Sequence, residues 1–146
     1  LLSLIKESLE LVKSKVDLKH ITLNLNVSED IIVFADVNML HTVIRNLITN
    51  AVKFTNDNGQ IIISSRIGNG FCYLSIADNG VGIGSDRIKK LFRIDKDIVT
   101  PGTHNEKGSG LGLILSKEFI ERNGGTISVE SELNKGSTFT ISLKLA

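Results

Sequence analysis

Leu2, Ile5, Leu9, Val12 and Val16 recur at intervals of three and four residues, which predicts an amphipathic first helix. The apolar period stops near Val16, so we expect this helix to pack on its own domain rather than extend a coiled coil. Ile21 to Val27 alternates apolar and polar residues and reads as a strand, and Ile31 to Phe34 reads as a second, shorter one. Asp36 is placed to cap a long helix running to about Phe54. Its expected core face is Val37, Leu40, Ile44, Leu47, Ile48 and Ala51.

Asn56-Asp57-Asn58-Gly59 is a turn signal. Two strands follow, Gln60 to Ile67 and Phe71 to Asp78, joined around Gly68-Asn69-Gly70 as a hairpin. Residues 85 to 92 predict a short helix. Residues 93 to 109 show no clean period and carry charges, small residues and the only proline, which predicts a mobile loop. Leu111 to Arg122 is helical and ends at Asn123-Gly124-Gly125. Thr126 to Glu132 and Thr138 to Leu145 alternate strictly about a turn at Asn134-Lys135-Gly136, forming a last hairpin. The alternation implies one sheet face under helices and one open to water. The expected fold is α/β (α+β), a two-layer sandwich of helices on a mixed, largely antiparallel sheet. We expect one domain over 1–146, with a lid at about 93–109.

The chain's 146 residues, 41% hydrophobic and 23% charged, fit one globular domain with a real core. A net charge of +1, without a basic patch interleaved with aromatics, implies no nucleic acid partner. Cys72 is the only cysteine, so no internal disulfide or cysteine-cluster metal site can form, and a buried thiol in a reducing compartment is expected. No apolar run approaches ~20 residues, so no membrane contact is expected. Leu1 to Ile5 is too short for a signal peptide and lacks an initiator methionine. We expect a piece of a longer protein.

Three blocks carry the chemistry. Asn46, Asn50 and Lys53, spaced four and then three apart, share a helix face away from the core stripe. An Asn oxygen is a hard neutral ligand suited to Mg²⁺, with phosphates and waters completing the octahedron. Lys53 adds a point charge for a phosphate. Asp78 ends a strand at the turn Gly80-Val81-Gly82-Ile83 and shares parity with Cys72, Leu74 and Ile76, which points its side chain inward. A buried carboxylate needs a donor. The exocyclic amine of adenine would supply one, where guanine offers an acceptor, so ATP is expected over GTP. Gly80 and Gly82 permit close approach of the backbone to a ring. Gly108-Ser109-Gly110-Leu111-Gly112 opens a helix whose free N–H groups suit phosphate oxygens, with the preceding loop folding over them about Gly102 and Gly108. Each block alone has an ordinary reading: a solvated helix face, an Asp-capped turn, a flexible linker. Their order and spacing are the specific signal.

Two other nucleotide patterns are absent. Lys107 and Gly108 stand in reversed order for a P-loop, and Gly80-Val81-Gly82-Ile83-Gly84 lacks the Rossmann spacing.

Taken together, the blocks resemble the catalytic and ATP-binding domain of sensor histidine kinases, in the wider gyrase, chaperone, histidine kinase and MutL superfamily. Asn46 to Thr55 resembles the N box, Asp78 to Ile83 the G1 box and Gly108 to Leu113 the G2 box. Leu91-Phe92-Arg93 stands where that family has its F box, and Gly136-Ser137-Thr138-Phe139 resembles its closing glycine motif. The resemblance implies Asn50 as magnesium ligand, with Asn46 and Lys53 facing the phosphates. It implies Asp78 at the adenine amine, Thr138 assisting there and Phe92 anchoring the lid. Arg93 is read as solvated rather than as a γ-phosphate contact.

Two departures refine the expectation. ATP-hydrolysing members of the superfamily carry a catalytic glutamate where this chain has Asn46, an amide that is no base. Phosphoryl transfer is therefore favoured over hydrolysis. In the kinases the acceptor is a histidine followed by an acidic residue, whereas His20, His41 and His104 precede Ile21, Thr42 and Asn105. All three histidines are read as structural or solvated. The acceptor is expected on a separate dimerisation and phosphoacceptor domain, with a response regulator downstream. A cytoplasmic location is expected, whether or not the parent protein is membrane-anchored. The alternatives are an ATP-hydrolysing gyrase-like clamp, an anti-sigma-type serine kinase and a degenerate nucleotide-binding module.

Overall fold

A computed structural model describes residues 1–93 and 100–146, so part of the predicted lid lies outside the described residues. The elements run α1 (Leu2–Leu18), β1 (Thr22–Asn26), α2 (Val37–Phe54), β2 (Gln60–Gly68), β3 (Phe71–Asp78), α3 (Ser85–Ile88), α4 (Gly112–Arg122), β4 (Thr126–Glu132) and β5 (Gly136–Lys144). The sheet order is β1-β2-β3-β5-β4. Only β1 and β2 pair in parallel, and the remaining pairs are antiparallel, as the alternation and short turns predict.

The two sheet faces differ as expected. Cys72, Leu74 and Ile76 on β3 stand opposite Leu143, Ile141 and Phe139 on β5, and all six are buried. On the other face hydroxyls pair across strands, Ser75 with Thr140 at 2.9 Å and Thr126 with Ser142 at 2.8 Å. Water and neighbouring hydroxyls satisfy that face, so it needs no helix layer.

Helix α2 lies at the centre of the helix layer, against α1, α4 and β3. It starts where its cap predicts, with Met39 N–H donating to Asp36 Oδ1 at 2.9 Å. Because other elements cover it on several sides, its apolar face is wider than one stripe. Val43 and Val52 are buried as well, whereas Val37, in the first turn, is 64% exposed. Ile5 and Val12 of α1 join the same core, so the first helix packs on its own fold.

The predicted strand at Ile31–Phe34 is only a single bridge, Val33 to Leu145. Its alternation is real, since Ile31 is buried while Ile32 and Phe34 are exposed. The cap of α2 at Asp36 follows too soon for a ladder to form. The predicted helix over residues 85–92 is helical only through Ile88. Among the described residues no helix is long and apolar enough to cross a membrane.

Candidate functional site

The three blocks converge. Asn46, Thr49, Asn50, Lys53 and Phe54 of α2 line one wall of a cavity of about 260 Å³. Val81, Gly82 and Ile83 of the turn after β3 line another, and Lys107, Gly108, Ser109, Gly110, Gly112 and Leu113 a third. The lining mixes two chemistries. Val81, Ile83, Leu91, Leu113 and Phe139 supply apolar surface. Lys53, Arg87 and Lys107 supply three cations among amides and hydroxyls, and no lining residue among those described is acidic.

Close approaches explain several of the glycines. A Cβ on Gly80 would stand 2.0 Å from the Phe54 carbonyl, because the turn backs onto the end of α2, where Val81 N–H donates to Phe54 O at 3.1 Å. Gly82 has φ +68, and a Cβ there would meet the Glu132 carbonyl at 1.9 Å. Gly112 opens α4 directly against Asn46, whose Oδ1 would lie 2.3 Å from a Cβ. Asn46 Nδ2 also donates to Ser116 Oγ at 3.0 Å, so this side chain joins α2 to α4 at the cavity wall. Gly102 and Gly108, expected as hinges, are likewise packed against Lys53: a Cβ would lie 2.5 Å from Lys53 Cγ at Gly102, and 2.7 Å from Lys53 Nζ at Gly108.

Helix α4 has no side-chain cap and no acidic residue in its first turn. Leu111 is its N-cap and is half exposed, outside the cavity lining. The N–H groups of that first turn are therefore available to an anion, and the helix dipole favours one there. Lys53 Nζ lies 5.0 Å from the centre of the Phe54 ring. Burial pushes its ammonium below the ordinary lysine value, Glu106 opposes that and Lys15 adds to it.

Asp78 is half-buried and stands directly across the ladder from Ser137, which lines the cavity. Gly80 N–H donates to Asp78 Oδ1 at 2.9 Å. Burial raises this carboxyl to about 6, against the pull of the Gly80 and Ser137 N–H groups. Thr138 is a correction. It pairs with Ala77, one residue out of phase with Asp78, so the pleat turns it to the other face. Ser137 takes the place next to Asp78 and lines the cavity. The signal was present in the sequence, since Ser137 shares parity with Phe139, Ile141 and Leu143. Phe92 is half-buried against the core, and its neighbour Leu91 lines the cavity. Arg93 is exposed, and Arg87 is the arginine on the lining. Neither Arg87 nor Lys107 was expected there; Lys107 adjoins the glycine block, and Arg87 had no signal beyond its charge.

Residues 35–146 match the family described as histidine kinase-, DNA gyrase B-, and HSP90-like ATPase. The chain is 41% identical over 127 residues to the sensor protein RprX of Bacteroides fragilis, covering 86% of this chain and 24% of RprX. It therefore spans about a quarter of the length of that relative. Among solved structures, the catalytic domain of histidine kinase ThkA superposes with a TM-score of 0.82 at 30% identity, covering 99% of this chain and 91% of that one. Full-length ShkA in complex with AMPPNP superposes at 0.81 with 27% identity, over 99% of this chain and 30% of that one. ThkA in complex with the response regulator TrrA superposes at 0.78 with 26% identity, over 100% of this chain and 40% of that one. With its three blocks gathered around one cavity and its fold shared with these domains, the chain belongs to the histidine kinase-, DNA gyrase B- and HSP90-like ATPase family, and within it is a histidine kinase catalytic, ATP-binding domain.

Proposed function

We propose that this domain binds ATP with Mg²⁺ and passes the γ-phosphate to a histidine on the dimerisation and phosphoacceptor domain of its parent protein. A response-regulator aspartate then takes the phosphate. The carrying observation is the mixed lining of a single cavity: apolar surface suited to a ring, and three cations with an uncapped helix N-terminus suited to phosphates. ShkA solved with AMPPNP and ThkA solved with TrrA support the same reading.

Each residue then has a role. Asp78 receives the adenine amine, with Ser137 beside it. Gly80, Gly82 and Ile83 admit the ring edge. Lys53, Gly108, Gly110 and Gly112 hold the phosphates, with Lys107 and Arg87 adding charge. Leu111 stays at the N-cap of α4, Phe92 braces the near end of the lid, and Asn46 keeps α2 against α4. Asn50 fits a magnesium ligand, because it is a neutral oxygen donor on the wall nearest Lys53. Among the described residues no cluster of three His, Cys, Asp or Glu side chains forms a metal site, so the cation would arrive with the nucleotide. Bound there, it supplies charge neutralisation at the phosphates.

No lining residue among those described is a carboxylate or an imidazole, so the wall holds no base for an attacking water. That supports transfer over hydrolysis. The domain's contribution is positioning and charge neutralisation, and the acceptor domain brings the nucleophile. A cytoplasmic location follows from the need for ATP and a response regulator, whether or not the parent is membrane-anchored.

Calorimetric titration with ATP, ADP and GTP, with and without Mg²⁺, tests the reading. We expect magnesium-dependent adenine binding of micromolar order, about −6 to −8 kcal/mol. Equal binding of GTP would refute the adenine assignment. Asn50→Ala should abolish phosphorylation of an added histidine-bearing domain, and retained activity would remove Asn50 as the ligand.

A further inference from the structure

Lys19 is 1% exposed, in a class of side chain that is almost never fully buried unless paired. It follows α1, and its ammonium reaches under the last turn of α2. There Nζ donates to the carbonyls of Val52 at 2.9 Å and Lys53 at 3.1 Å, with Thr55 O at 3.4 Å. These belong to the end of a helix, where carbonyls lack intrahelical partners and the dipole is negative. Two further contacts leave the helix. Lys19 Nζ donates to Thr103 Oγ1 at 2.7 Å and pairs with Glu106 Oε1 at 2.7 Å.

Thr103 and Glu106 lie in the segment 100–110, of which Thr100 and Lys107 to Gly110 line the cavity. Both ends of the contact are built. Glu106 Oε2 accepts from His104 N–H at 2.8 Å, and Thr103 N–H donates to the Lys53 carbonyl at 3.0 Å. His104 Nε2 adds a second clasp to Asp57 at 2.6 Å. The Lys53 carbonyl is thus shared by Lys19 and Thr103, while its ammonium stands beside Gly108. Burial would raise the Glu106 carboxyl, but Lys19 and the Glu106 and His104 N–H groups outweigh it and hold it at about 2. Glu106 therefore stays charged through the neutral range.

An ion pair whose lysine is buried and whose glutamate is half-buried is a poor device for stability alone, because apolar residues of the same volume often serve as well or better. A fixed register between two segments is a better account of this one. We propose that Lys19 and Glu106 are positioning residues for the phosphate end of the ATP site: their pair fastens the segment 100–110 to the C-terminus of α2, so that Lys53, Lys107 and Gly108 to Gly110 hold the spacing a triphosphate requires. The inference rests on the ATP-binding reading above.

The test compares ATP with adenosine, which lacks phosphates, on this chain and its variants, each checked for folding by circular dichroism. Glu106→Ala leaves the Lys19 bonds to α2 in place and is the main variant. Lys19→Met and Thr103→Ala are the others. We expect Glu106→Ala to weaken ATP binding at least tenfold while changing adenosine binding less than twofold. Amide exchange at Gly102 and Thr103 should speed up in all three variants. If the wild-type chain binds ATP over adenosine and Glu106→Ala keeps that ratio, the positioning role is overturned and the ATP reading stands. If ATP and adenosine weaken equally in the variant, the pair only supports the fold, and the positioning role is again overturned. If the wild-type chain shows no preference for ATP, both readings fall.

Discussion

Asp78→Asn should make the empty domain more stable and a worse binder of adenine nucleotides. Burial moves the Asp78 carboxyl from 3.8 to about 6. Between those values the folded chain keeps a proton that the unfolded chain has lost. The group's contribution to stability is therefore intact below pH 3.8, falls as pH rises, and levels off above about 6. At 1.36 kcal/mol per tenfold change in proton affinity, the neutral-pH cost is about 3 kcal/mol. An Asn keeps an oxygen for the Gly80 N–H and carries no charge, but its amide needs an acceptor of its own. The expected net gain at pH 7.5 is roughly 1–3 kcal/mol. Urea denaturation of both proteins at pH 7.5 and at pH 4 measures it, since charges elsewhere cancel in the difference. The gain should shrink at pH 4. ATP affinity should fall tenfold or more, as expected for loss of a hydrogen bond to a charged group worth about 1.5–3 kcal/mol. A gain that does not change with pH, or a variant less stable than wild type at pH 7.5, would refute the reasoning.

Other substitutions probe the remaining walls. Ser137→Ala should weaken ATP binding severalfold while Thr138→Val stays within twofold, since only Ser137 shares the face of Asp78; equal effects in calorimetry would contradict the face assignment. Gly112→Ala places a Cβ 2.3 Å from Asn46 Oδ1 and should cost about 1–3 kcal/mol, read as a lower denaturation midpoint. Glu106 is held at about 2, below its ordinary 4.5, so its contribution to stability is present above 4.5 and lost as pH falls towards 2. Acid denaturation of Glu106→Gln should therefore begin from a less stable protein at neutral pH and meet the wild-type curve near pH 2; parallel curves would count against the pair.

Local chemistry was legible wherever neighbours in the chain decide it. Asp36 caps α2 because a carboxylate three residues before a free N–H needs nothing else. The inward parity of Asp78 follows from the pleat, and the same rule applied to β5 would have chosen Ser137 over Thr138. Val37 was misplaced because period alone cannot say where a helix meets its cover. Val43 and Val52 were missed because that cover includes α1 and α4 as well as the sheet.

The order of the asparagine helix, the Asp78 turn and the glycine loop was written in the sequence, and so was the kind of ligand they suit. The tertiary structure alone decided which cations reach the cavity, that Ser137 lines it across the ladder from Asp78, and that Lys19 meets Thr103 84 residues further along. Periodicity and capping depend on residues within a few turns of one another. Burial, charge pairing and cavity shape depend on surfaces that meet only when the chain has folded.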